Sequence, residues 1–138
     1  MSDNPAPIEW DSGGLRFAAS FRGAGATLRV SGQVDGHWQE LLRFDDFIDQ
    51  PHYHVPASAD PIMFDRDAQG EPLAFFVAEL RDHLGELLTT AGFADVAAHV
   101  DLRAVTDDAE HIRAAMVDVV PDDGYVRVPG VGLQRVGS

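Results

Sequence analysis

One change of rhythm constrains this chain more than any other feature. Up to about Phe64 its apolar residues recur at every second position, and from Pro72 they recur at every third or fourth. The first spacing belongs to strands covered on one side, the second to a helix with one buried stripe. Neither element can bury its apolar face alone, so the two must pack on each other. The chain therefore reads as α+β: an antiparallel β-meander of about five strands against one long helix, then a second, shorter helix and an extended C-terminal tail.

The strands can be read one by one. Ile8-Glu9-Trp10 begins a short strand before the break at Gly13-Gly14. Leu15, Phe17, Ala19 and Phe21 then alternate with Arg16, Ala18, Ser20 and Arg22, which puts the first set on the covered face. Gly23-Ala24-Gly25 reverses the chain into a hairpin partner, with Leu28 and Val30 inward and Thr27 and Arg29 outward. Asp35-Gly36 turns it again. In the run from His37 to Phe47, Trp38, Leu42 and Phe44 share the covered face with Glu40 as an intruder, and a bulge near Leu41-Leu42 would explain the broken alternation. His52 to Val55 is extended between Pro51 and Pro56, both of which disfavour helix, and Ile62-Met63-Phe64 adds a last short strand.

Pro72 sits where the first turn of a helix tolerates proline. Leu73, Phe76, Val77, Leu80, Leu84, Leu87 and Leu88 make the stripe of a helix of about five turns, closed by Gly92. Phe75 cannot share the groove of Phe76, so one of the two marks an exposed patch or a dimer contact. Residues 94 to 100 form a short helical stretch. A better helix starts near Thr106-Asp107, where Asp107 and Glu110 have capping-box spacing, with Ile112, Ala115, Met116 and Val119 inward and Pro121 beyond its end. From Tyr125 the chain either adds an edge strand or reaches toward a partner. Residues 1–7 read as a flexible lead-in, 8–128 as one domain and 129–138 as the tail.

Composition narrows the function. The 138 residues suit one core, and 23 Asp and Glu against 10 Lys and Arg leave a formal net charge of −13. So acidic a chain repels nucleic-acid phosphates and anionic membranes, so neither is an expected partner. There is no cysteine, which removes disulfides, thiolate metal sites and cysteine nucleophiles. Every basic residue other than histidine is arginine, which removes lysine Schiff bases and the lysine of a phosphate loop. No Gly-x-Ser-x-Gly elbow and no glycine-rich dinucleotide loop is present. The N-terminal segment has no basic-then-apolar pattern of a secretory signal, and no run approaches the roughly 20 apolar residues of a membrane span. The cytoplasm is the default location.

What remains is concentrated between His37 and Pro56. His52 and His54 stand two apart, so on a strand both imidazoles face the same side. Asp45, Asp46 and Asp49 lie just upstream across a turn. Two histidines and one of these carboxylates would make a divalent metal site with positions left for water or substrate; no other cofactor is expected. Without a metal, the candidate catalytic residues are the same two histidines with Asp46 as partner and Arg43 or Tyr53 steadying an anion. If Tyr53 and Val55 face the helix, the histidines face outward, and valine's demand for burial favours that arrangement.

The run Arg43-Phe44-Asp45-Asp46-Phe47 followed by Pro51-His52-Tyr53-His54 resembles a group of small bacterial proteins of uncharacterised function, through Glu71-Pro72-Leu73 and the long helix. That resemblance carries no activity, substrate or catalytic residue. The preferred expectation is an acidic binding or interaction module, with a protein partner or a homodimer contacting its sheet face or tail. The alternative is a small enzyme or metal-binding domain centred on His52 and His54.

Overall fold

The computed structural model describes residues 5 to 137, so the first four residues of the expected lead-in lie outside the described residues. Its order of elements is β1 (Ile8–Ser12), β2 (Leu15–Arg22), β3 (Gly25–Val34), β4 (His37–Phe47), β5 (His52–His54) and β6 (Ile62–Met63). Then come α1 (Arg66–Gln69), α2 (Pro72–Thr90), α3 (Ala94–His99), α4 (Leu102–Asp107), α5 (Ala109–Asp118), β7 (Tyr125–Val128) and β8 (Gly132–Arg135). The first six strands form one antiparallel sheet in sequential order, one strand more than the approximate count from spacing. β7 and β8 form a separate two-stranded hairpin. The fold is α+β, as expected.

The core is where the two spacings meet. Leu15, Phe17, Ala19 and Phe21 of β2, Leu28 and Val30 of β3 and Leu42 and Phe44 of β4 are all buried. They face Leu73, Phe76, Val77, Leu80, Leu84 and Leu88 of α2. Phe44 and Phe76 bring their rings to 5.3 Å across this layer. Each large side chain removed from water here stabilises the fold by about 1.5–3 kcal/mol. α2 ends as expected: Gly92 lies at φ +95°, and Phe93 N–H donates to Leu88 O at 2.8 Å.

The broken alternation of β4 has a single cause. Val30 pairs with Leu42 and Ser31 with Glu40, so Leu41 is the extra residue of a bulge and the facing of everything before it inverts. Leu41 and Leu42 are consequently both fully buried. Trp38, expected beside Leu42 and Phe44, instead lies on the opposite face, 42 % exposed, with the Arg16 guanidinium 4.0 Å from its ring centre. Glu40 goes with it, to bind Arg43 and Arg29.

One other expectation needs refinement and three need correction. Thr27, placed outward by alternation, does face away from the helices but is buried there against Asp45. The capping box at Asp107 and Glu110 does not form, because Asp101 already caps α4 by accepting from Ala104 N–H, and that helix continues through Asp107. Phe75 is not an exposed patch: it packs on Tyr53 and Phe64 at 6.0 and 5.4 Å. The run read as a tail turns at Pro129-Gly130 and returns as β8, burying Leu133 in the core. Arg127 of β7 reaches the core too, donating to Asp46 at 2.7 Å.

Candidate metal centre

Strand parity sorts the candidate residues onto two faces. Leu42, Phe44 and Asp46 point to the helices; Arg43 and Asp45 point away. In β5, Tyr53 packs on Phe44, Phe75 and Phe76, which sends His52 and His54 to the face away from the helices. The β4–β5 connection, with Gln50 at φ +53°, sets a register in which Asp45 opposes His52 and Arg43 opposes His54.

Three of the expected ligands converge. His52 Nε2 lies 3.0 Å and His54 Nε2 3.4 Å from the same oxygen, Asp45 Oδ2. One donor atom from each of the three residues falls within 4.8 Å of the others. The two imidazole rings meet edge to face at 5.1 Å, and Phe47 sets its ring edge-on to His52 at 5.2 Å. Asp45 is buried, while the two histidine side chains retain 19 % and 14 % of their exposure, enough to be reached from solvent.

The outer nitrogens are also engaged. His52 Nδ1 is 2.9 Å from Gln50 O, and His54 Nδ1 is 2.7 Å from Ala59 O. A backbone carbonyl only accepts, so each Nδ1 must carry the hydrogen. In the neutral ring Nε2 then presents a lone pair. Asp45 is itself anchored: Thr27 Oγ1 donates to its Oδ1 at 2.7 Å. Sequence spacing missed Thr27 as a member of the site, and only the β3–β4 register, which opposes Thr27 to Asp45, could have found it.

The other candidates lie elsewhere. Asp46 is fully buried on the helix face, and Asp49 is exposed, 3.9 Å from Arg135. Tyr53 is held among the core aromatics, where burial first and the Glu79 charge second push its hydroxyl above the ordinary range. Arg43 shares the face of the histidines, but its guanidinium is clamped on both Glu40 oxygens at 2.9 and 2.8 Å, a contact that leads in raising its pKa. Burial raises Asp46 above the usual carboxylate range more than Arg127 lowers it. A cleft of about 560 Å³ runs between the β3–β4 turn and α3, past Asp35, Phe93 and His99, and includes none of the three converging residues.

An antiparallel sheet roofed by helices on one face, with two histidines and a carboxylate gathered on the other, defines a small α+β domain carrying a candidate metal centre. The chain belongs to a domain family of unknown function (DUF7700), whose model matches residues 9–116 and so takes in Thr27, Asp45, His52 and His54. No curated protein and no solved structure matches it. Among the described residues, no helix is long and apolar enough to cross a membrane.

Proposed function

We propose that this domain binds a divalent first-row transition metal through His52 Nε2, His54 Nε2 and Asp45 Oδ2. The observation that carries the reading is the hydrogen-bond assignment at the outer nitrogens. With both Nδ1 atoms donating to backbone carbonyls, two Nε2 lone pairs and a carboxylate oxygen face one point. Lone pairs in that arrangement repel unless a cation, or a proton on each ring, lies between them. Fixing of Nδ1–H by a carbonyl is also how metal-binding histidines are commonly oriented.

Distances favour the metal. An ion with bonds of about 2.0–2.1 Å holds its ligand atoms about 2.9–3.4 Å apart when the angles between them are about 90–110°. The two histidine nitrogens stand 3.0 and 3.4 Å from Asp45 Oδ2. Both distances fall in that range, and one donor atom from each residue lies within 4.8 Å of the others. Two nitrogens and one oxygen suit zinc, iron, cobalt or nickel better than calcium or magnesium, which prefer oxygen donors.

The test uses protein purified without a histidine tag. Elemental analysis and zinc titration should give one ion per chain, and His52→Ala with His54→Ala should abolish it. Absence of binding in the parent protein, or equal binding in the double variant, would overturn the reading.

A protein-partner role draws on a different place. β6 ends the sheet with an unpaired edge on which Ile62 and Met63 are 43 % and 51 % exposed. Sheet edges of that kind pair readily with another strand. Light scattering should then report a dimer that Ile62→Lys disrupts; a monomer at high concentration would remove the self-association version.

A further inference from the structure

We propose that Thr27 is a specificity-determining residue of this centre, because it restricts Asp45 to coordination through a single oxygen. The inference rests on the metal-binding reading above. Its basis is the direction of one short hydrogen bond. A carboxylate only accepts, so Thr27 must donate its hydroxyl hydrogen to Asp45 Oδ1 across 2.7 Å. That bond is made between two buried side chains, 8 % and 4 % exposed, where water offers no ready substitute. One lone pair of Oδ1 is thus engaged and that oxygen is turned toward Thr27, which leaves Oδ2 as the oxygen shared by both imidazoles.

A carboxylate fixed this way gives a metal one bond rather than two. The chain then supplies three donors and leaves the rest of the shell to solvent or a small ligand. Three fixed donors suit a compact, low-coordinate ion such as zinc or cobalt. Large oxygen-seeking ions, which take six to eight ligands and often both oxygens of a carboxylate, lose their preferred mode. Thr27 itself never touches the metal; it acts through Asp45. β4 makes this possible, because Thr27 opposes Asp45 on its β3 side and His52 opposes the same Asp45 on its β5 side. A row of three residues across three strands is thereby joined into one unit.

The experiment compares the parent with Thr27→Val, which keeps the shape and removes the hydroxyl, and with Thr27→Ser, which keeps the hydroxyl. Zinc affinity is measured by chelator competition, and the coordination number is read from the visible absorption of the cobalt-loaded protein. We expect T27V to lose about 10- to 100-fold in zinc affinity, as loss of an orienting partner typically does. Its cobalt spectrum should weaken toward the form of higher coordination, and its preference for zinc over calcium should narrow. T27S should restore both. A merely structural role would lower the unfolding temperature and leave the cobalt spectrum alone. If T27V fails to fold, Thr27→Ala is read in its place.

Unchanged affinity and spectrum in T27V, with zinc bound by the parent, would overturn the role of Thr27 and leave the metal site standing. A parent protein that binds no zinc would overturn the metal site and this inference together.

Discussion

The contact between Arg127 and Asp46 offers the sharpest test of the core. Asp46 sits on the helix-facing side of β4 with its side chain 1 % exposed, and Arg127 reaches it from β7 across 2.7 Å. The second Arg127 nitrogen donates to Met116 O at 3.2 Å. Removing one partner from a buried ion pair leaves the other charge uncompensated, at a cost of about 3–5 kcal/mol. Here the pair is joined end-on. Asp46 Oδ1 and Arg127 Nε have no partner among the described residues, which points to the lower part of that range. For Arg127→Met the expected loss is therefore about 3 kcal/mol, out of a total stability on the order of 5–15 kcal/mol.

The sign with pH follows from the burial of Asp46. Desolvation raises its pKa above the ordinary 3.8, against the lowering effect of Arg127 and Arg66. From that ordinary value up to the raised native one, the folded protein holds the proton more tightly than the unfolded chain, so stability is lost as pH rises through the window. In Arg127→Met the chief lowering influence is gone, and the window extends to higher pH. The deficit of the variant should be largest near about pH 8 and shrink toward about pH 5, as Asp46 escapes its cost by taking up a proton. Urea unfolding followed by circular dichroism at both pH values measures this. Asp46→Asn with Arg127→Met should recover most of the loss, since no charge is left buried. An Arg127→Met protein as stable as the parent at the higher pH, or equally destabilised at both, would refute the reasoning.

Two further outcomes can be stated. Gly25 lies at φ +147°, and a Cβ there would collide with Asp46 O and meet Phe47 Cα at 2.7 Å; Gly25→Ala should therefore destabilise by more than about 1 kcal/mol in the same urea assay, and an unchanged midpoint would contradict the close approach of β3 to β4. His83 shares a hydrogen at 2.8 Å with Glu79 on the solvent side of α2, which is the main cause of its raised pKa; an NMR titration should place it above the ordinary histidine range and Glu79→Gln should bring it back. The contribution of that pair is present at low pH and is lost as pH rises through the raised value.

The sheet and the long helix were legible because burial alone writes them. Leu15, Phe17, Ala19 and Phe21 are apolar at every second position and are all buried. Pro72, Leu73, Phe76, Val77, Leu80, Leu84 and Leu88 likewise fall on one helix face and are buried. Where two local signals competed, spacing could not choose between them. Asp107 has capping-box spacing to Glu110, yet it lies inside α4, which Asp101 caps through Ala104 N–H, and α5 begins two residues later at Ala109. Trp38 departs from its expected face for a different reason. One extra residue at Leu41 reverses every side chain before it, and the sequence marks that bulge only by the charge of Glu40, which has no place on an apolar face.

Strand parity also separates two adjacent carboxylates. Asp45 and Asp46 are neighbours of identical chemistry, and spacing alone offered both as partners of the histidines. Leu42 and Phe44 decide between them. Both are buried against the helices, so Asp46, two residues after Phe44, must share their face and needs a cation from the core side, which Arg127 supplies. Asp45 must then share the opposite face, and Tyr53, drawn to Phe44 by its ring, leaves His52 and His54 there with it. The apolar residues thus select which carboxylate joins the two histidines. What they could not select is the register along the strands. That depends on the turn at Gln50 and on how far β5 slides against β4, and a slip of two residues would keep every face correct while separating Asp45 from His52.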